Sequence, residues 1–200
     1  MTDGRSGGGR RYDAVALSLH WLTALAILGL LVAGFTMTSL PRGSAQQFVL
    51  FQLHKSVGIT VLLLTVLRLA WRLAHRPPDL PAGMPNWEVL AAKAGHLGLY
   101  LLLFGLPLSG WAVVSASPFN IPTVLYGVVP WPHLPVLSTL ADKKPVAEAL
   151  EGIHTAAAWC LIVLLLVHVG AALRHHLLLK DDVLRRMLPR FSFLSRSPVP

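Results

Sequence analysis

The chain has 200 residues and a mass of 21.7 kDa, which is the size of one ordinary domain. Its composition is unusual, because 54% of the residues are apolar, only 13% are charged and the mean hydropathy is +0.60. Soluble domains carry about 25% charged residues, so a water-soluble enzyme with a charged surface is excluded. The single cysteine, Cys160, excludes an internal disulfide and argues against a cysteine-ligated metal centre.

Four apolar runs are each long enough to cross a bilayer, which takes about 20 helical residues. We expect spans at residues 14–37, 48–71, 94–116 and 145–178. Pro107 lies inside the third run and predicts a kink, and Pro145 suits the first turn of the fourth helix. The sequence therefore predicts an all-α integral membrane protein built as a four-transmembrane-helix bundle.

The helical membrane domain is expected over residues 11–190. Residues 1–10 are rich in glycine and arginine and predict a disordered tail, and residues 191–200 form a C-terminal tail. The first run is too long for a cleaved signal peptide, and no small-residue cleavage pattern follows it.

The basic residues predict the orientation, because cytoplasmic segments of membrane proteins carry an excess of lysine and arginine. Thirteen of the seventeen lie on the side of the two termini. These are Arg5, Arg10, Arg11, Arg68, Arg72, Arg76, Lys93, Arg174, Lys180, Arg185, Arg186, Arg190 and Arg196. We therefore expect a multi-pass membrane protein with both termini in the cytoplasm. The net charge of +8 is a topology signal that also attracts anionic lipid, and no nucleic-acid partner is expected.

Ionisable residues inside spans are costly and are functional candidates by default. Five histidines lie within or near the four spans: His20, His54, His96, His154 and His168. On the fourth helix, His154 and His168 are 14 residues apart, which is roughly 21 Å along the axis and about 40° around it. Depth along the helices then pairs His20 with His168 near the inner face and His54 with His154 near the outer face.

Two imidazoles facing each other across a bundle core suit bis-histidine ligation of a haem iron. A zinc site is disfavoured, because each level offers two ligands rather than three or four. Each proposed ligand is followed four positions later by a small residue that leaves space beside it: Ala24, Gly58, Ala158 and Ala172. His96 is followed by Tyr100 and is expected to contact a haem edge instead of the iron.

Several motifs resemble the bacterial cytochrome b561 family, over roughly Arg11 to Arg190. They run in the family's order: Ser18-Leu19-His20-Trp21, Gln52-Leu53-His54-Lys55-Ser56-Val57-Gly58, Gly95-His96-Leu97, Leu106-Pro107-Leu108-Ser109-Gly110, Gly152-Ile153-His154-Thr155 and His168-Val169-Gly170-Ala171-Ala172-Leu173-Arg174-His175-His176. The resemblance implies a bundle with two b-type haems, and His20, His54, His154 and His168 fall on the family's ligand positions. It also implies a superoxide oxidase activity that passes electrons from superoxide outside the inner membrane to ubiquinone. The long third connection, 117–144, and the glycine-rich tail depart from the family pattern.

The donor side carries Arg42, Lys55, Lys143 and Lys144, which would attract a small anion such as superoxide. Lys55 is the favoured residue, because it adjoins His54. The loop from Asn120 to Pro132, with Tyr126 and Trp131, is interpreted as an interfacial lid over the outer haem or as an aromatic membrane anchor.

The quinone is expected at the end of the fourth helix. His175 lies seven residues beyond His168 on nearly the same face, about 10 Å further along. A histidine that titrates near neutral pH can bind a quinone carbonyl and relay a proton. Arg174 and Lys180 are weaker candidates that would stabilise negative charge on the quinone.

Alternative functions remain open at this point. The chain fits the haem-bearing membrane subunit of a larger dehydrogenase, which a co-purifying iron–sulfur subunit would indicate. A transporter with a histidine proton relay is disfavoured, because the sequence has no repeated half and almost no intramembrane carboxylate. A structural anchor would not need histidines at matched depths. Membrane lipid is an expected partner, and a homo-oligomer is compatible with the sequence.

Overall fold

The computed structural model describes residues 11–79 and 83–188. The two tails predicted at 1–10 and 191–200 lie outside these residues. Four long helices dominate the described part: α1 (Ala14–Ser39), α2 (Ala45–Ala74), α3 (Asn86–Ser115) and α5 (Lys144–Leu177). Each is long and apolar enough to cross a membrane. The expected four-helix membrane bundle is confirmed.

Local sequence signals explain where these helices begin. Asp13 caps α1 by accepting a hydrogen bond from the Ala16 N–H, which holds the pKa of this carboxyl below its usual value. Ser44 caps α2 in the same way through the Gln47 N–H. α3 begins at Asn86 rather than near residue 94, because Pro85 precedes it and the polar first turn with Glu88 is helical as well. α3 continues through Pro107.

The helices pack as two antiparallel pairs, α1 with α2 and α3 with α5, and the pairs meet where α2 contacts α3. Ile27, Val61, Leu103 and Leu161, one from each long helix, form the buried centre of the bundle. Most other apolar side chains on these helices point outward and are exposed, as expected for surfaces that face lipid. We call the end that holds the start of α1 and the end of α5 the terminal end, and the opposite end the loop end.

The connection between α3 and α5 is ordered at the loop end. It contains an antiparallel hairpin of β1 (Thr123–Leu125) and β2 (Val129–Trp131), followed by the short helix α4 (Pro135–Ser138). Tyr126 and Gly127 at the hairpin tip both have positive φ, 51° and 73°. At the terminal end, the short helix α6 (Val183–Met187) follows α5 and is held to α1 by the Trp21 indole, whose Nε1 donates to the Met187 carbonyl at 2.7 Å.

Candidate functional site: two levels of paired histidines

Two pairs of histidine rings face each other across the gap between the two helix pairs. His20 on α1 and His168 on α5 have ring centroids 6.4 Å apart near the terminal end. His54 on α2 and His154 on α5 also lie 6.4 Å apart, near the loop end. These are the pairs expected from their depths. The apolar layer of Ile27, Val61, Leu103 and Leu161 lies between the two levels.

Two helix glycines bring the backbone close to the loop-end pair. A Cβ at Gly110 on α3 would lie 3.2 Å from Cε1 of His154, which is tighter than most such contacts. A Cβ at Gly34 on α1 would lie 3.6 Å from Cε1 of His54. Both rings are therefore bounded by backbone, and at Gly110 any larger residue would push the ring of His154 from its position.

The ring of His154 is oriented by Ser109. The Ser109 hydroxyl donates to the Leu106 carbonyl at 2.9 Å, so its oxygen accepts the bond of 2.9 Å from Nδ1–H of His154. This arrangement leaves Nε2 of His154 unprotonated and able to bind a metal. Sequence reasoning had assigned no role to Ser109, although it lies in the Leu-Pro-Leu-Ser-Gly motif.

The terminal-end pair has a different environment. A guanidinium nitrogen of Arg68 lies 2.9 Å from Nδ1 of His20. Because a guanidinium can only donate, Nδ1 of His20 is the acceptor in this contact. Arg68 and Arg72 also lie over the Tyr100 ring, at 5.6 Å and 5.9 Å from its centroid. The sequence had suggested only a topological role for Arg68.

His96 joins the terminal-end level. Its ring centroid is 5.8 Å from that of His168, on the side of α3. His168 therefore has two histidine neighbours, whereas His154 has one. No group of three or more histidine, cysteine or carboxylate side chains suited to a metal occurs within the described ranges.

Carboxylates surround His175 beyond the terminal-end pair. Its Nδ1 is hydrogen-bonded to Oδ2 of Asp181, and its Nε2 lies 3.8 Å from Oε2 of Glu88. Arg174 donates to the other oxygen of Glu88 at 2.9 Å. Glu88 is only 8% exposed. Sequence reasoning missed Glu88 and Asp181, because each appeared as a single charge in a segment flanking a span.

The remaining site candidates lie at the surface. Lys180 follows α5 in an exposed turn, with φ of 54°. Lys55 donates to the Pro122 carbonyl at 3.3 Å, Lys143 donates to the side-chain oxygen of Asn120, and Lys144 lies 4.0 Å from Glu148. Arg42 is exposed in the connection between α1 and α2.

The hairpin tip contacts the side of α2. The Tyr126 N–H donates to the Ser56 hydroxyl at 3.0 Å, and the Tyr126 hydroxyl lies 2.6 Å from that of Thr60. Ser56 and Thr60 share one face of α2, and His54 lies on roughly the opposite face. Tyr126 therefore packs on the side of α2, whereas Trp131 packs against Trp111, the neighbour of Gly110, with ring centroids 5.5 Å apart. The interpretation of this loop as a lid or an aromatic anchor stays a prediction.

A membrane-spanning helical bundle with two facing pairs of half-buried imidazoles is the architecture of a transmembrane electron carrier. Residues 11–190 match the family model described as prokaryotic cytochrome b561. The chain therefore belongs to this family, and it is a haem-binding electron-transfer protein of the bacterial inner membrane.

Curated relatives cover nearly the whole chain. Cytochrome b561 homolog 2 of Escherichia coli (strain K12) is 37% identical over 183 residues, which is 91% of this chain and 93% of the relative. Cytochrome b561 homolog 1 of the same strain is 28% identical, over 90% of this chain and 98% of the relative. The probable superoxide oxidase CybB of Yersinia pestis is 29% identical, over 90% and 97%.

The histidine pairs fit a haem iron by their chemistry and spacing. Imidazole is a good ligand for iron. Two imidazoles that share one metal ion through bonds of about 2 Å have ring centroids about 6 Å apart, since each nitrogen stands off its ring centre. Both measured separations, 6.4 Å, match this requirement. Nδ1 of His54 is buried and has no hydrogen-bond partner in the described chain. No hydrogen bond at Nδ1 therefore holds this ring away from the orientation that iron binding requires.

Proposed function

We propose that this protein carries electrons across the inner membrane through two bis-histidine b haems, from periplasmic superoxide to ubiquinone on the cytoplasmic side. The observation that carries the proposal is the pair of equal ring separations, 6.4 Å at each level. The excess of basic residues at the terminal end supports a cytoplasmic location for both termini. The loop end then faces the periplasm.

The haems, when bound, supply one-electron redox chemistry. His54 and His154 would hold the periplasmic haem, and His20 and His168 the cytoplasmic haem. Each superoxide gives up one electron and leaves as dioxygen, and two electrons with two protons convert a quinone to a quinol. Because two histidines would hold each iron, electrons would enter and leave without substrate bound to it.

At the periplasmic end, the chain contributes positive charge. Lys55 is one residue from His54 and half-buried, and its ammonium donates to the Pro122 carbonyl. It would raise the local concentration of a small anion while it anchors the loop before β1. The relative named a probable superoxide oxidase favours superoxide as this anion.

At the cytoplasmic end, the chain contributes proton carriers. His175 lies seven residues beyond His168, about 10 Å further along α5. Asp181 fixes Nδ1 of His175, and Nε2 lies 3.8 Å from Oε2 of Glu88, beyond hydrogen-bond distance. Nε2 is thus the nitrogen that would bind a quinone carbonyl and pass it a proton. Glu88 and Asp181 flank the ring and would resupply the proton, with Arg174 and Lys180 as further contacts for the quinone oxygens.

The first prediction concerns ligation. Replacing His20, His54, His154 or His168 by alanine should each remove or destabilise one haem equivalent, because each ring is one of the two imidazoles proposed to hold that haem. His96→Ala should retain two equivalents. His75→Ala is the matched control, because His75 is exposed and stacks on Trp71 outside the bundle core. The measurement is the ratio of haem to protein by pyridine haemochrome. Loss of a full equivalent in His96→Ala, with none lost in His20→Ala, would reassign the partner of His168.

The second prediction concerns Ser109. Ser109→Ala should raise the midpoint potential of the haem held by His154, because an imidazole whose Nδ1–H lacks an acceptor donates less charge to iron. The potential of the other haem should not change. Ser39→Ala is the control, because this exposed serine bonds only its own helix. A redox titration followed at the two absorbance maxima checks this, and unchanged potentials in Ser109→Ala would remove Ser109 from the site.

The third prediction tests the donor. Purified protein without any partner subunit should be reduced by superoxide, and the rate should fall as salt rises, because steering of a small anion is screened. Lys55→Gln should slow the reaction several-fold with both haem spectra intact. Lys144→Gln should change it little, because Lys144 already faces Glu148. A rate that responds neither to salt nor to Lys55 would favour another donor, such as a dehydrogenase subunit.

The fourth prediction tests the acceptor. His175→Ala should preserve both haems and their reduction from the periplasmic side, yet slow reoxidation by added ubiquinone on the order of 10-fold or more, as for loss of a positioned proton carrier. Glu88→Gln should give a smaller decrease. His176→Ala is the neighbouring control, rotated by about 100° on the helix. Stopped-flow reoxidation at parental rate in His175→Ala would move the quinone site away from α5.

A further inference from the structure

The hairpin between α3 and α5 is bound along the side of α2 rather than above the bundle. Its hydrogen bonds reach progressively further down α2. The Pro122 carbonyl accepts from the Gln52 side chain at 3.0 Å, Tyr126 N–H donates to Ser56, and the Tyr126 hydroxyl meets Thr60. The hairpin tip therefore points toward the middle of the bundle.

The register of α1 against α2 fixes the depth of this tip. Gly34 lies beside His54, and Arg68 meets His20, so the two antiparallel helices run level with each other over this length. Thr60 lies six residues beyond His54 on α2. Because α1 runs in the opposite direction, the α1 residue at the same depth is six residues before Gly34, which is Leu28. Leu28 is near the middle of α1 (Ala14–Ser39), and Thr60 is at the middle of α2 (Ala45–Ala74).

This depth is far below the membrane surface. A bilayer's hydrocarbon core is about 30 Å thick, so its midplane is about 15 Å from each boundary. Ser56, which binds the tip backbone, is four residues from Thr60, or about 6 Å along the helix. The backbone of the tip then lies roughly 9 Å inside the loop-end boundary of the hydrocarbon core.

The outward side of the hairpin is apolar. Val128 is 78% exposed and Val129 is 53% exposed, and Phe119, which precedes the hairpin, is 80% exposed. On the side facing the helices, Thr123 of the hairpin is 3% exposed, and Ser56 of α2, which the hairpin contacts, is 1% exposed. The exposed apolar side chains of the hairpin resemble the lipid-facing surface of the helix beside them, where Leu63 of α2 is 53% exposed.

Backbone polar groups in hydrocarbon need partners, and an open sheet edge is normally excluded there. Two features of this hairpin reduce the number of its unpaired backbone groups. Its β1 side faces α2, where Ser56, Gln52 and Lys55 bind backbone groups. Its free edge is β2, whose central residue is Pro130. A proline in an edge strand occupies a position whose N–H would point away from the partner strand. Because Pro130 has no N–H, the free edge of β2 has no unpaired donor at this position.

We propose that residues 119–131 form a re-entrant hairpin, which enters the hydrocarbon of the loop-end leaflet and is covered there by lipid acyl chains. The hairpin extends the lipid-facing surface of α2. Tyr126 is its anchor, since the Thr60 hydroxyl donates to the Ser56 carbonyl and so accepts from the phenol. The base of the hairpin shares Lys55 with the proposed donor site, because this ammonium binds the Pro122 carbonyl.

Site-directed spin labelling of the full chain in nanodiscs tests the proposal. The background is Cys160→Ala, because Cys160 is exposed. Val128→Cys carries the nitroxide, and Val129→Cys is a second reporter in the same hairpin. Leu63→Cys is the lipid reference, and Thr139→Cys, exposed in the turn after α4, is the aqueous reference. Power saturation compares collision with oxygen, which concentrates in lipid, and with a water-soluble nickel chelate.

The expected result is an oxygen-to-nickel accessibility ratio at Val128 close to that at Leu63 and several-fold above that at Thr139. A ratio like that of Thr139 would overturn the proposal and place the hairpin in water. Low collision with both reagents, together with dipolar broadening between labels, would also overturn it, because a second copy of the chain would then cover the hairpin. Far-ultraviolet circular dichroism that matches the parent establishes that each labelled variant is folded.

Discussion

The need to give every buried imidazole a partner organises this bundle. Four histidines lie inside spans where an isolated polar ring is costly, and the fold brings them together as two facing pairs with equal separations of 6.4 Å. Because both α5 histidines lie on one helix face, the two levels are fixed by the helix repeat alone. An apolar layer with one residue from each long helix separates them. The proposed transmembrane electron path needs this arrangement, which offers two candidate haem positions at different depths in one frame.

The two levels differ in what surrounds the rings. At the loop end, Ser109 accepts from His154 and leaves its Nε2 able to bind a metal. At the terminal end, Arg68 donates to Nδ1 of His20, a contact that His20 cannot keep if it binds iron through Nε2 as a neutral ring, because Nδ1 then carries the hydrogen. Arg68 would then have to release Nδ1 of His20.

The helix number and the histidine pairing were predictable, because both follow from short-range rules. Apolar run length gives the spans, and a separation of 14 residues on α5 gives a shared face at two depths. The hairpin could not be placed, since its position depends on hydrogen bonds between residues about seventy apart, such as Tyr126 with Ser56. Glu88 was missed for a similar reason. Nothing near it in sequence indicates burial, which arises only because Arg174 and His175 arrive from the end of α5.

The two ends of the bundle differ in the burial of their carboxylates. Glu88 is the buried carboxylate of the described chain, and it lies with Asp181 around His175 at the terminal end. At the loop end, Glu148 is exposed and pairs with Lys144, so no buried proton carrier approaches His54 or His154 within the described ranges. Loss of one electron from superoxide involves no proton, whereas quinone reduction takes up two. A chain that confines its buried proton carriers to one end therefore favours quinone chemistry there and proton-free electron entry at the other.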